Sequence, residues 1–267
     1  MDEILRNLPG NARVLDLGSR GGSFAAQSCP AAVIVRLDME LPSSPDGTAF
    51  VQADAARLPF RDFTFDALIA NHSLEHMVEL AAVLREIGRV VRRGGSLYVA
   101  VPDASTFSDR LYRWIYHGGG HVNGFRSAGS FSEQITRATD LRLVATRVLC
   151  TSFGFLDRRH FQPRPPRRLW LLGNGTPTFI AALSLSSRVL DRLFGTRCSV
   201  YGWAFYFGEI KEKVESTVWT NVCTNCGAGH SSASLICNHK VRRVLFVLKS
   251  YNCPNCGSWN LFTEDRE

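Results

Sequence analysis

No stretch of this 267-residue chain is both long enough and apolar enough to suggest a membrane span. The longest run without a charge, Leu169 to Ser187, is broken up by Gly173, Asn174, Gly175 and Pro177, whereas a spanning helix needs about 20 mostly apolar residues. The opening MDEILRNLPG holds two acids and no apolar run, so no secretory signal is expected there. Without a secretory route, a disulfide framework is not the expected use of the eight cysteines. Lysine is missing from residues 103–170, where all 11 cationic side chains are arginine. Internal repeats and low-complexity tracts are also lacking. With 45% hydrophobic and 21% charged residues the composition excludes a disordered chain. The length suits one domain of roughly 200 residues plus a small appendage, with a core that needs no staples.

The charge is unevenly spread. Residues 1–102 carry a net −2, residues 103–170 a net +6 and residues 171–267 a net +3. An arginine-only excess suits phosphate, carboxylate or anionic headgroups, and equally a solvated surface.

The first hundred residues alternate strand and helix signals. Strands are expected at 13–17, 32–37, 50–52, 65–70 and 96–101, with a helix over 74–91 carrying Leu80, Val83, Leu84, Ile87 and Val91 at helical spacing. Strands joined by crossovers imply an α/β fold with a mostly parallel sheet. After Pro102 the pattern loosens. A helix is expected at 132–139, a strand at 141–149, an amphipathic helix at 177–194 and a buried strand at 200–209, while RRHFQPRPPRR at 158–168 is too rich in proline for a regular element. These signals place one domain over 1–210, with its core at 11–102 and an insertion at about 103–197, and a second over 211–267.

VLDLGSRGGSF is the most informative segment. An apolar strand delivers Asp16, and Gly18, Gly21 and Gly22 let the backbone turn tightly beside a ligand. Such turns at the carboxyl edge of a parallel sheet bind nucleotide-like cofactors. Asp38 ends the second strand, where an acid takes ribose hydroxyls, and Asp54 follows the third, where it can accept from an adenine amino group. A hydride cofactor would also use Asp38, but no pyrophosphate-binding GxGxxG is present.

Residues 13–102 resemble a class I S-adenosylmethionine-dependent methyltransferase of the ubiquinone-biosynthesis-like type, methyltransferase type 11. The matching text is VLDLGSRGG, RLDM, ADAARLPFRDFTFDALIANHSLEHM and REIGRVVRRGGSLYVAVP, with weaker similarity at HVNGF, residues 121–125. The resemblance implies a Rossmann-like fold and S-adenosylmethionine as methyl donor. It also implies roles: Asp16 orders the glycine loop, Gly18 and Gly22 pass close to the methionine moiety, Asp38 holds the ribose, Asp54 and Ala55 meet the adenine, and Asn71 faces the methionine part. Arg20 stands in this loop where the family often has glycine, and Arg93 where it usually has proline.

A sulfonium is already an electrophile, so alignment supplies much of the acceleration and a base is needed only for acceptors such as hydroxyls. His72 and His121 are the candidate bases. The His72-xx-Glu75-His76 spacing could hold a metal on a helix, but His72 is expected in the turn before it. His117 and His121 flank Gly118–Gly120, a loop able to close over a substrate. Only about 12 residues precede the first strand, so the roof of the acceptor site is expected from the 103–197 insertion. Its 177–194 helix is expected to pack on the core; the alternative lays residues 158–194 on a membrane surface.

Near the C-terminus, Cys223-Thr-Asn-Cys226-Gly and Cys253-Pro-Asn-Cys256-Gly are two CxxCG knuckles. Four thiolates around Zn²⁺ make a closed structural site, and a module of about 50 residues needs such a staple. The segment looks like a zinc ribbon with hairpin strands near SLICN and RRVLFVLKS; a redox pair is the alternative. The acceptor is expected to be a small-molecule, lipid-linked or saccharide compound, and the location cytoplasmic or peripheral to a membrane. One rival is an RNA or protein methyltransferase gripping its substrate through the tail and the arginines, yet no stacking platform of an RNA module is visible. The other rival is a non-catalytic cofactor-binding scaffold.

Overall fold

A computed structural model describes residues 1–19, 22–24, 26, 29, 32–42, 47–158, 166–212, 214, 218–219, 221–223, 229–238, 240–244, 248–254, 257 and 259–264, with side chains for all of these except 2, 171–174, 177, 218, 219, 244 and 248. The chain divides into two compact units. The first holds 1–102, 120–147 and 203–216; the second holds 103–119, 148–202 and 217–267.

In the first unit a short helix α1 (Asp2–Leu5) precedes strands β1 (Arg13–Leu17), β2 (Val33–Asp38), β3 (Ala49–Gln52) and β4 (Phe65–Asn71). Helix α2 (Leu80–Val90) leads directly into the long strand β5 (Val91–Pro102). After helix α3 (Phe107–Ile115) of the second unit come helix α4 (Ala128–Thr139) and then parts of β6 (Leu143–Cys150) and β7 (Val200–Gly208). The strand order is β3-β2-β1-β4-β5-β7-β6. Neighbours from β3 to β5 pair in parallel, so the expected mostly parallel Rossmann-like sheet is present. Parallel strands buried on both faces read as continuous apolar runs; β4 is buried from Phe65 to Ala70. The buried stripe of α2, Val83, Leu84, Ile87 and Val90, covers one face. The expected helix over 74–91 is shorter than its periodicity suggested. Residues 74–76 form a separate 3-10 turn that ends at Met77, in extended backbone.

Helix α3 (Phe107–Ile115) lies in the second unit, within the stretch whose sequence pattern was loose; the Thr106 hydroxyl caps it by accepting from the Asp109 amide. Helix α5 (Pro177–Phe194) matches its expected span and starts with a Thr176 cap and proline in the first turn. Its Ile180 joins a core of Ile115, Phe153, Leu156 and Leu169. Farther along, Val189, Leu190, Leu193 and Phe194 remain exposed. Among the described residues no helix is long and apolar enough to cross a membrane.

The C-terminal segment of this unit adds β8 (Val218–Trp219), β9 (Asn221–Val222), β10 (Gly229–His230), β11 (Val241–Val244), β12 (Leu248–Asn252) and β13 (Trp259–Phe262). Strands β11, β12 and β13 form an antiparallel sheet, so RRVLFVLKS supplies hairpin strands as expected. SLICN does not. It lies in helix α6 (Ser232–Cys237), because the Ser231 hydroxyl accepts from the Ser234 amide and caps a turn that a short apolar run could not distinguish from a strand. Asn221 ties this segment together, its amide donating to Ser232 Oγ and the Thr263 carbonyl. Arg188 of α5 donates to Thr263 Oγ1.

Candidate active site

The carboxyl ends of β1, β2 and β4, with the loop after β3, bring the expected donor-site residues to one edge of the sheet. Asp16, near the end of β1, is fully buried. Its Oδ2 accepts from the Ser23 amide at 2.9 Å and from Arg36 Nη1 at 3.2 Å. The carboxylate therefore orders the glycine loop from beneath. Burial pushes its pKa up, against the pull of Ser23 and Arg36. Gly18 and Gly22 have φ of +67° and +102°, in the region that favours glycine. A Cβ on Gly22 would lie 1.2 Å from Arg36 Nη1, and one on Gly18 would lie 2.6 Å from Ser73 Cβ. Arg20 and Gly21 lie outside the described residues.

Asp38 ends β2 half-buried and accepts from the Glu40 amide. Asp54 is exposed, accepts from the Ala56 amide, and adjoins buried Ala55. The loop that follows Asp54 is held by α2. Glu86 Oε2 accepts from the Leu58 amide, while Arg89 donates to the carbonyls of Leu58 and Phe60 and to Asp62. This explains why DAARLPFRD and REIGR stand out together in the sequence: one clasps the other. Asn71 ends β4, half-buried.

Sequence reasoning missed Arg36, which reads as an interruption in an apolar strand. The signal was its register: Asp16 and Arg36 are Cα partners across β1 and β2. Only 3% exposed, Arg36 also donates to Thr48 Oγ1 and to the Phe24 carbonyl. Ser73 was missed as well; it lies against Gly18 although 55 residues separate them in the chain.

His72 precedes the 3-10 turn, as expected, with a φ of +54°. Burial, helped by the nearby His121 and His76, pushes its pKa down to about 4. The ring is thus neutral at physiological pH. Between about pH 6.5 and 4 the unfolded chain takes up a proton here that the folded chain refuses, so stability is lost as pH falls through this window. His72→Asn, which tolerates the positive φ, is expected to raise the urea midpoint at pH 5 and leave it unchanged at pH 8. Equal shifts at both pH values would contradict this origin of the acid sensitivity.

His121 lies beside His76, with ring centroids 4.9 Å apart. The turn and the 120–123 segment are stitched together: the Glu75 carbonyl accepts from the Val122 and Asn123 amides, and Asn123 Nδ2 donates to the carbonyls of Leu74 and Met77.

In the C-terminal segment Cys223 and Cys253 are buried in one cluster with Leu235, Tyr251 and Phe262. Asn260 Nδ2 donates to Cys223 Sγ, and His230 Nε2 lies 3.4 Å from Cys253 Sγ. Gly257, with a φ of +72°, donates its amide to the Cys253 carbonyl. Cys226 and Cys256 lie outside the described residues.

Residues 15–99 match the family described as "Methyltransferase domain". The core is similar to methyltransferase domains. The demethylmenaquinone methyltransferase of Roseiflexus castenholzii is 35% identical over 122 residues, covering 40% of this chain and 50% of that protein. The malonyl-[acyl-carrier protein] O-methyltransferase of Methylococcus capsulatus is 28% identical over 141 residues, covering 48% of this chain and 51% of that protein. The chain thus spans about half the length of these curated relatives. A SAM-dependent methyltransferase structure from Archaeoglobus fulgidus aligns with a TM-score of 0.50 at 15% identity, over 77% of this chain and 88% of that one. This likeness shows the fold, a Rossmann-like methyltransferase fold with a mostly parallel sheet.

S-adenosylmethionine is the cofactor such a core implies, and the residues present fit it. Among the described residues Asp16 Oδ1, Ser19 Oγ and Ser73 Oγ are buried beside the glycine turn without a hydrogen-bond partner. Buried polar atoms are normally paired. A carboxylate oxygen suits an ammonium and two hydroxyls suit a carboxylate, which is the polarity of a methionine end.

Proposed function

We propose that this protein is an S-adenosylmethionine-dependent methyltransferase acting on a small-molecule, lipid-linked or saccharide acceptor. The observation that carries the reading is the row Asp16, Asp38, Asp54 at successive strand ends, joined to a glycine turn lined by unpartnered polar atoms. The curated relatives' names, a menaquinone precursor and a carrier-bound malonyl group, support an acceptor of this class.

When bound, S-adenosylmethionine supplies an electrophilic methyl group on a sulfonium. Asp16 and Ser73 hold the amino-acid end, Asp38 takes the ribose hydroxyls, and Asp54 with Ala55 receives the adenine. With the donor so held, alignment of acceptor and methyl group would supply much of the acceleration. His72, held neutral by burial, is the candidate base for a hydroxyl acceptor.

The reading includes one structural zinc ion in the C-terminal segment, held by Cys223, Cys226, Cys253 and Cys256. Cys223 Sγ, which accepts from Asn260 Nδ2, Cys253 Sγ, 3.4 Å from His230 Nε2, and the Gly257 turn support it. Calorimetry with S-adenosylmethionine is expected to give one site per chain, and incubation of the pure protein with cell extract to give products heavier by one methylene. No donor binding would remove the enzyme reading and favour a scaffold. Metal analysis is expected to find zinc that a Cys223→Ser, Cys253→Ser double variant has lost; unchanged content in that variant would overturn the zinc assignment.

A further inference from the structure

We propose that Glu75, His76 and His121 form a binding site for one divalent transition-metal ion beside the methyl-donor pocket, and that the ion takes the acceptor through its oxygen atoms. One ligating atom from each of these three residues lies within 4.8 Å of the other two. Three ligands about 2.0–2.2 Å from one ion stand at most about 3.8 Å from one another. Closure therefore needs the side chains to approach one another by about 1–1.5 Å, and His76 is exposed and His121 half-buried, so both have room to move.

The chemistry of the donor set is selective. Two imidazoles and one carboxylate suit zinc, manganese, iron, cobalt or nickel rather than calcium. The Gly120 carbonyl lies 3.0 Å from His76 Nδ1. A carbonyl only accepts, so Nδ1 carries the proton and Nε2 the lone pair, the orientation that outer partners impose on metal-binding histidines. Four hydrogen bonds between the 74–77 turn and the 122–123 backbone and Asn123 side chain fix the position of His121. This is the kind of support a ligand set needs to stay assembled. Three protein ligands leave coordination positions open to solvent or substrate.

The location gives the ion a use. Ser73, which touches the Gly18 turn, is only two residues before Glu75. An acceptor with adjacent oxygen atoms would be gripped by the ion while one oxygen faced the donor. That half of the inference rests on the methyltransferase reading; metal binding does not.

Titration of the full chain with Mn²⁺, followed by the paramagnetic resonance signal of the free ion, tests the site. Manganese favours nitrogen and oxygen over thiolate, so the C-terminal cysteines do not compete. The wild type is expected to bind one Mn²⁺ at least ten-fold more tightly than His121→Ala or Glu75→Gln, and Cys223→Ser to bind like the wild type. The His121 variant alters a loop side chain and leaves the core untouched. Absent binding in the wild type, or equal binding in the His121 and Glu75 variants, overturns the site. Calorimetry with S-adenosylmethionine in parallel separates the two ideas: donor binding without manganese binding removes only the metal, and the reverse removes only the methyl-transfer reading. Adding 1,2-dihydroxybenzene to the manganese-loaded protein is expected to alter the bound-ion spectrum; an unaltered spectrum overturns the acceptor role.

Discussion

Arg36→Met is expected to destabilise the protein by about 3–5 kcal/mol, because it strands the fully buried carboxylate of Asp16 without its cation. For a chain of this size that corresponds to a fall in the thermal midpoint of about 10 °C. Three contacts disappear together: the Asp16 pair, the Thr48 hydroxyl and the Phe24 carbonyl. Donor affinity should fall with it, since the guanidinium fills the space directly beneath Gly22. Combining Arg36→Met with Asp16→Asn removes both charges and should recover part of the stability, a coupling that a double-mutant cycle measures. An unchanged thermal midpoint in Arg36→Met would show that the pair does not support the loop.

Asp38→Ala should behave in the opposite way, with a large loss in binding and little in folding. The side chain is half-buried and sits at a strand end. A hydrogen bond to a charged group contributes about 1.5–3 kcal/mol, so donor affinity measured by calorimetry should drop about 10–100-fold while the urea midpoint stays close to that of the wild type. Undiminished affinity would remove Asp38 from the ribose contact and weaken the whole row of strand-end acids.

Much of this arrangement is legible in the sequence. The apolar stretches Val33–Val35 of β2, Ala67–Ala70 of β4 and Leu97–Val101 of β5 read as strands, and the glycines after Asp16 mark a turn that only a tight backbone needs. Clasping of the 58–62 loop by Glu86 and Arg89 leaves a trace in two co-occurring segments. What is not legible comes from contacts across long separations. Arg36 looks like a flaw in a strand until the register sets it against Asp16. Glu75, His76 and His121 come together because the Val122 and Asn123 amides reach the Glu75 carbonyl and the Asn123 side chain reaches those of Leu74 and Met77. Helix α3 hides in a stretch rich in glycine, serine and aromatic residues, where a single threonine cap decides its start. Helix α6 hides for the opposite reason: six residues of apolar and small side chains carry no period, and Ser231 settles the matter.

The clasp formed by Glu86 and Arg89 has a mechanical corollary. The loop running on from Asp54 is tied to α2 through Glu86 and Arg89, so a displacement of that helix would be delivered toward Asp54, beside the edge strand β3. Substitutions at the buried face of α2, remote from any ligand, should therefore surface as altered discrimination among purine analogues of the donor, and not merely as lost robustness.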